Sequence, residues 1–83
     1  MNEYKYDYEG AVNILSAYMV DTGDDQATIA EKAGVSPGAL THIMKHRMVV
    51  SPGLAAEFER TLGIPAEKFR PDVFNGLTAK PGL

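Results

Sequence analysis

No cysteine occurs in the 83 residues, so neither a disulfide framework nor a thiolate metal site can hold the chain together. No apolar run approaches the roughly 20 residues needed to span a bilayer. Met1 to Glu9 is polar and acidic rather than a basic lead into an apolar stretch. Neither a membrane segment nor a targeting signal is therefore expected, and the cytoplasm is the expected compartment. No serine sits in a nucleophile elbow, and no motif pairs the scattered carboxylates, so the residues do not point to an enzyme. An excess of positive charge is missing as well. Lys and Arg number 8 against 11 Asp and Glu, a net charge of −3, whereas a general polyanion binder should be basic.

The charge is unevenly spread. From Met1 to Glu31 seven acidic side chains face Lys5 alone, while Lys32 to Leu83 carries seven basic and four acidic ones, giving −6 and +3. A chain this short buries only about 60% of its unfolded surface, so one small domain with one core is expected.

Tyr8, Ala11, Val12, Leu15, Tyr18 and Met19 recur at the spacing that lines one face of a helix, with Asp7 as N-cap, which predicts a helix over 8–20. The DTGDD segment that follows joins turn chemistry to carboxylates suited to a helix N-terminus. A second helix should begin at Gln26, bury Ile29, Ala30 and Ala33, and end at Gly34 in the left-handed conformation. The segment Ser-Pro-Gly then occurs twice, at 36–38 and 51–53. In each copy serine can cap a helix and proline can take its first position, where the missing N–H does no harm. A third helix is expected from Pro37 to about His46, with Leu40, Ile43 and Met44 inward. A fourth is expected from Pro52 to Leu62, with Leu54, Ala55, Phe58 and Leu62 inward, ending at Gly63. Pro65 to Phe69 can make one more turn. The expected fold is all-α: a compact four- to five-helix domain with a central helix-turn-helix.

The spacing from Gln26 to Ile43 carries the chemistry. A polar residue opens the first helix, a small Ala30 follows four residues on, Gly34 makes the turn, and Val35, Leu40 and Ile43 are apolar. Two helices crossing through a short turn approach closely at Ala30, and Gly34 takes positive φ without a Cβ penalty. Leu40 and Ile43 anchor the second helix, which leaves Pro37, Gly38, Thr41, His42 and Lys45 on or beside its free face. In such a motif the start of the second helix meets base edges in the major groove. Thr41 and His42 can bond to bases, and Lys45 and Arg47 suit phosphate or guanine acceptors.

These residues, together with HRMVVSP, LGIPAEKF and RPDVF (70–74), resemble the Cro-type repressors of lambdoid phages, and among them the small YdaS-like group. The likeness covers about Tyr8 to Phe74. It implies a lambda-repressor-like domain, often dimeric, that binds double-stranded operator DNA of a phage or prophage and regulates transcription, in the cytoplasm of a bacterium or phage-infected host. It places a phosphate contact on Gln26 and base-reading positions on Pro37, Gly38, Thr41 and His42, with Lys45 ending the row; Ser36 and Arg47 flank them in the expected DNA-binding set. The chain departs from the pattern at Pro37 and Gly38, where long polar side chains are frequent, at Ile43, where tryptophan is frequent, and in its acidic, tyrosine-rich start.

The expected layout is an acidic, tyrosine-containing arm (1–7), the DNA-binding domain (8–74) and a flexible tail (75–83). His42 and His46 stand four apart on the expected third helix, a spacing that can chelate zinc, but no third ligand accompanies them; no metal and no cofactor are expected. In the arm, Tyr4 and Tyr6 can pack on the domain's edge or form a partner or dimer surface. The alternative to DNA binding is a protein-binding module, antirepressor, antitoxin-like or inhibitor, that uses the acidic surface around Asp21, Asp24 and Asp25.

Overall fold

The structure, a computed structural model, describes residues 5–74. Four α-helices follow one another: α1 (Tyr8–Thr22), α2 (Gln26–Ala33), α3 (Pro37–Met44) and α4 (Pro52–Leu62), then a 3₁₀ turn, Ala66–Lys68. There is no strand among the described residues, and the domain is all-α. No helix among them is long and apolar enough to cross a membrane. The expected flexible tail, 75–83, and Tyr4 lie outside the described residues.

Each helix start is capped by its own side chain, which satisfies N–H groups that have no partner within the helix. The Asp7 carboxylate accepts from the Gly10 N–H at 2.8 Å, and it occupies the space that a Cβ on Gly10 would need. Asp25 accepts from Thr28, Ser36 from Ala39 and Ser51 from Leu54. Pro37 and Pro52 stand at the first positions of α3 and α4, so both Ser-Pro-Gly segments act as helix starts.

Two helix ends differ from the periodicity. α1 runs two residues past Val20, because Gly23 is where the chain turns left-handed, φ 82°, and its N–H bonds back to the Met19 carbonyl. Thr22 secures that last turn by donating to the Tyr18 carbonyl and accepting from the Asp24 N–H. α3 stops at Met44 rather than near His46. His46 takes φ 63°, its N–H bonds to the Ile43 carbonyl and the Arg47 N–H to the His42 carbonyl. This is the bonding pattern that commonly ends helices with glycine at the left-handed position; here a histidine fills it. His42 and His46 therefore do not share a helix, and their i,i+4 spacing has no helical meaning.

The core gathers Ala11 and Leu15 of α1, Ile29, Ala30 and Ala33 of α2, Leu40 and Ile43 of α3, and Leu54, Ala55 and Phe58 of α4. Phe58 and Phe69 pack with ring centroids 5.1 Å apart, which ties the C-terminal segment to α4. Val50 in the α3–α4 loop is fully buried, as is Ala66, although neither belongs to a periodic pattern. Tyr8, expected on the inner face of α1, is 39% exposed, while Ile14 packs against the core instead. Being the first residue of its helix, Tyr8 leans toward Tyr6 and His46 rather than the interior.

Residues 71–74 add a final helical turn that periodicity does not indicate. The Arg70 carbonyl accepts from the Val73 and Phe74 N–H groups, and Pro71 stands first in the turn. The RPDVF segment is thus the start of a short helical turn. The Arg70 guanidinium also grips the Asp72 carboxylate through Nε at 3.0 Å and Nη2 at 2.8 Å. These two side chains are 16% and 23% exposed, against 69% and 44% for the Arg60–Glu57 pair, so the Arg70 pair is the better shielded from solvent.

Candidate nucleic-acid interface

α2 and α3 pack on each other across a three-residue turn, Gly34 to Ser36. Gly34 takes φ 74°, its N–H bonds to the Glu31 carbonyl, and the Val35 N–H reaches the Ala30 carbonyl at 3.0 Å. Ala30, 1% exposed, sits in the core at this end of α2, while α1 supports α3 and α4 supports α2. α3 is thereby held from one side. Leu40 and Ile43 are buried, whereas Ser36, Pro37, Gly38 and His42 are exposed.

Gln26 opens α2 and Thr41 lies in the second turn of α3, and the fold brings them together. The Thr41 hydroxyl donates to the Pro37 carbonyl at 3.1 Å and lies 3.4 Å from the Gln26 amide oxygen. Thr41 is half-buried, and its proton is shared among internal acceptors. It can offer a ligand its methyl group and the lone pairs of its oxygen. The Gln26 amide NH₂ has no partner among the described residues and is not buried, so it remains a donor at the base of α3.

Along α3, Ser36 uses its hydroxyl oxygen as a cap and stays exposed, as do Pro37 and Gly38. A Cβ on Gly38 would meet only the Ser36 Oγ, at 3.9 Å. The start of α3 is therefore narrow, and a flat surface can come close to its backbone. His42 projects from the next turn with its ring exposed. Lys45 stands at the helix end and Arg47 in the loop beyond it, both exposed and neither ion-paired among the described residues. The Arg47 N–H bond to the His42 carbonyl, 2.8 Å, folds the loop back beneath the helix and keeps Arg47 close to the site. The arrangement presents neutral donors and acceptors near the start of α3 and two free cations at its end.

Around this surface the acidic groups are partly engaged. Asp24 pairs with Lys32 at 2.7 Å, and that hydrogen bond raises the lysine's pKa. Asp25 caps α2, and the Thr28 N–H it binds holds its carboxyl below the usual carboxylate range. A groove of about 490 Å³ between the end of α2 and the start of α4 is lined by Lys32, Val35, Gly53, Leu54, Glu57 and Arg60 among others, and includes none of the expected site residues. Among the described residues no three His, Asp or Glu side chains gather where they could hold a metal ion.

Local spacing does not reveal what surrounds the loop after α3. Tyr6, Tyr8 and Arg70 converge on it from positions far apart in sequence. Only the unexplained tyrosines and the RPDVF segment marked them beforehand. No protein-family model matches the chain, and no curated protein matches it.

Proposed function

We propose that this protein is a sequence-specific DNA-binding transcriptional regulator of the Cro-like repressor kind, which lays α3 in the major groove of a phage or prophage operator. The observation that carries the reading is the two-sided construction of α3. Leu40 and Ile43 are locked into the core while Pro37, Gly38 and His42 stay open, and two cations without an ion-pair partner among the described residues, Lys45 and Arg47, follow at its end. Protein groups that read bases need this sort of fixed, exposed helix, and phosphates need free cations beside it. Gln26 offers its amide NH₂ to a phosphate from the start of α2, Thr41 orients that amide, and His42 is the side chain best placed to bond a base edge. With one α3 per copy, a homodimer engaging two half-sites roughly 34 Å apart would double the contact.

The protein-binding alternative draws less support. Of the three carboxylates that motivate it, Asp24 is engaged by Lys32 and Asp25 by Thr28, which leaves Asp21 as the one without such a partner among the described residues.

Gel shifts with the DNA flanking its own gene test the proposal. Affinity should fall as salt rises, since neutralising phosphates releases counterions. Lys45→Ala should lower the slope of log affinity against log salt by about 1 and weaken all sequences alike. His42→Ala should cost about 1–3 kcal/mol at a single operator position. Absence of salt-sensitive binding at micromolar protein would overturn the reading.

A further inference from the structure

The loop that carries Lys45 and Arg47 is short of secondary structure but not of contacts. At its beginning, His46 holds a left-handed conformation and its ring lies 5.7 Å from that of Tyr8, at a tilt of 35°. Tyr8 in turn meets the ring of Tyr6 edge-on at 4.8 Å. At the loop's end, the Val50 N–H donates to the Tyr6 hydroxyl at 2.9 Å and the Val50 carbonyl accepts from Arg70 Nη1 at 3.2 Å. The same guanidinium lies 5.6 Å from the Tyr6 ring centroid and is clamped by Asp72. Both backbone groups of a fully buried residue are thus satisfied by side chains from opposite ends of the described chain.

We propose that Tyr6 and Arg70 are positioning residues for the Lys45–Arg47 loop, fixing where its two cations stand relative to α3. The inference rests on the DNA-binding reading above for its consequence, and on the contacts at Val50 and His46 for its mechanism. Preorganisation is what such a clasp supplies. Lys45 and Arg47 belong to a seven-residue connection with no regular structure, and a loop ordered before binding loses less freedom when phosphates engage it. Tyr6 and Tyr8 accordingly brace the basic loop, one at its end and the other at its beginning.

The test uses the full chain with Tyr6→Phe, which keeps the ring and removes only the hydroxyl that accepts from Val50. Ile14→Val serves as the control, a conservative loss in the α1 packing with no place in the clasp. Backbone amide exchange should quicken about tenfold at Val50 and also at Arg47 in Tyr6→Phe, beyond any change in global stability, and not in Ile14→Val. Under conditions where both variants are fully folded, Tyr6→Phe should bind flanking promoter DNA more weakly and with a shallower salt slope, whereas Ile14→Val should match the unaltered protein. Arg70→Lys, which keeps the charge but loses the planar fork, should behave as Tyr6→Phe does. Faster exchange at Val50 alone, with Arg47 exchange and the salt slope unchanged, would overturn the proposal and leave the clasp a local packing device. If the unaltered protein shows no salt-dependent DNA binding, the DNA reading fails, and with it the loop's role in binding. The exchange rates would then still show separately whether Tyr6 holds the loop.

Discussion

At the residue scale, His46 is the position where local preference and structure disagree most plainly. A left-handed conformation at a helix end favours glycine, since a Cβ there crowds the backbone, and glycine does serve at Gly23, Gly34 and Gly63. At the end of α3 the chain instead keeps an imidazole, which lies against Tyr8. The comparison of two substitutions separates backbone strain from the lost ring contact, because both remove the ring and only one relieves the strain. His46→Gly should be more stable than His46→Ala by about 1 kcal/mol, read from urea unfolding midpoints at matched slopes. Equal stabilities would mean that this helix end carries no strain. The same residue shows the limit of spacing: counted along the sequence, His42 and His46 stand one helical turn apart, but the turn at 45–46 takes the second off the helix.

At the scale of elements, the best-marked features are the helix starts. Asp7, Asp25, Ser36 and Ser51 all cap as their types predict, because capping depends on three or four consecutive residues and on nothing distant. Helix ends were less legible at α1 and α3, where the stop depends on which residue first turns left-handed. The α2–α3 pair was legible for the reason that its turn is short and its close approach demands a small residue. Ala30 is 1% exposed, and its immediate surroundings include other fully buried side chains. Ala30→Leu should force the two helices apart and cost about 1–3 kcal/mol, seen as a lowered denaturation midpoint. On the proposed DNA-binding role, it should also weaken binding more than the loss of folded protein explains, because the exposed face of α3 would be displaced. A variant of unchanged stability would show that the approach at Ala30 is looser than its burial indicates.

At the scale of the whole molecule, the acidic character of the chain's first part reads differently once it is folded. Asp7, Asp24 and Asp25 are spent on caps and an ion pair, and Asp72 on holding Arg70, so these acids serve the fold. The hydrogen bond from Thr28 depresses the pKa of Asp25, and that from Arg70 depresses the pKa of Asp72. A carboxylate with a lowered folded pKa takes up its proton first in the unfolded chain. Its stabilisation is therefore present above the ordinary carboxylate pKa, about 3.9, and is lost as pH falls through the lower folded value. Lys32 has the opposite sign: its raised pKa gives a contribution present below the ordinary lysine value, about 10.4, and lost as pH rises through the higher folded one. Melting temperature should hold a plateau between these limits and drop below about pH 4, and Asp72→Asn should flatten the acid limb. A melting temperature that rises on acidification would contradict these assignments.

By itself the sequence determined the all-α class, the number and starts of the main helices, and the anchoring of α3 through Leu40 and Ile43. All of these follow from caps, turns and periodicity acting over a few neighbouring residues. Only the tertiary structure decided the burial of Val50, the meeting of Gln26 with Thr41, and the clasp that joins Tyr6, Arg70 and Asp72 to the loop after α3. Tyr6 and Val50 are 44 residues apart and Arg70 is 20 beyond Val50. Contacts of that span leave no period in the sequence, because they depend on where the packed helices bring the chain rather than on which residues stand side by side.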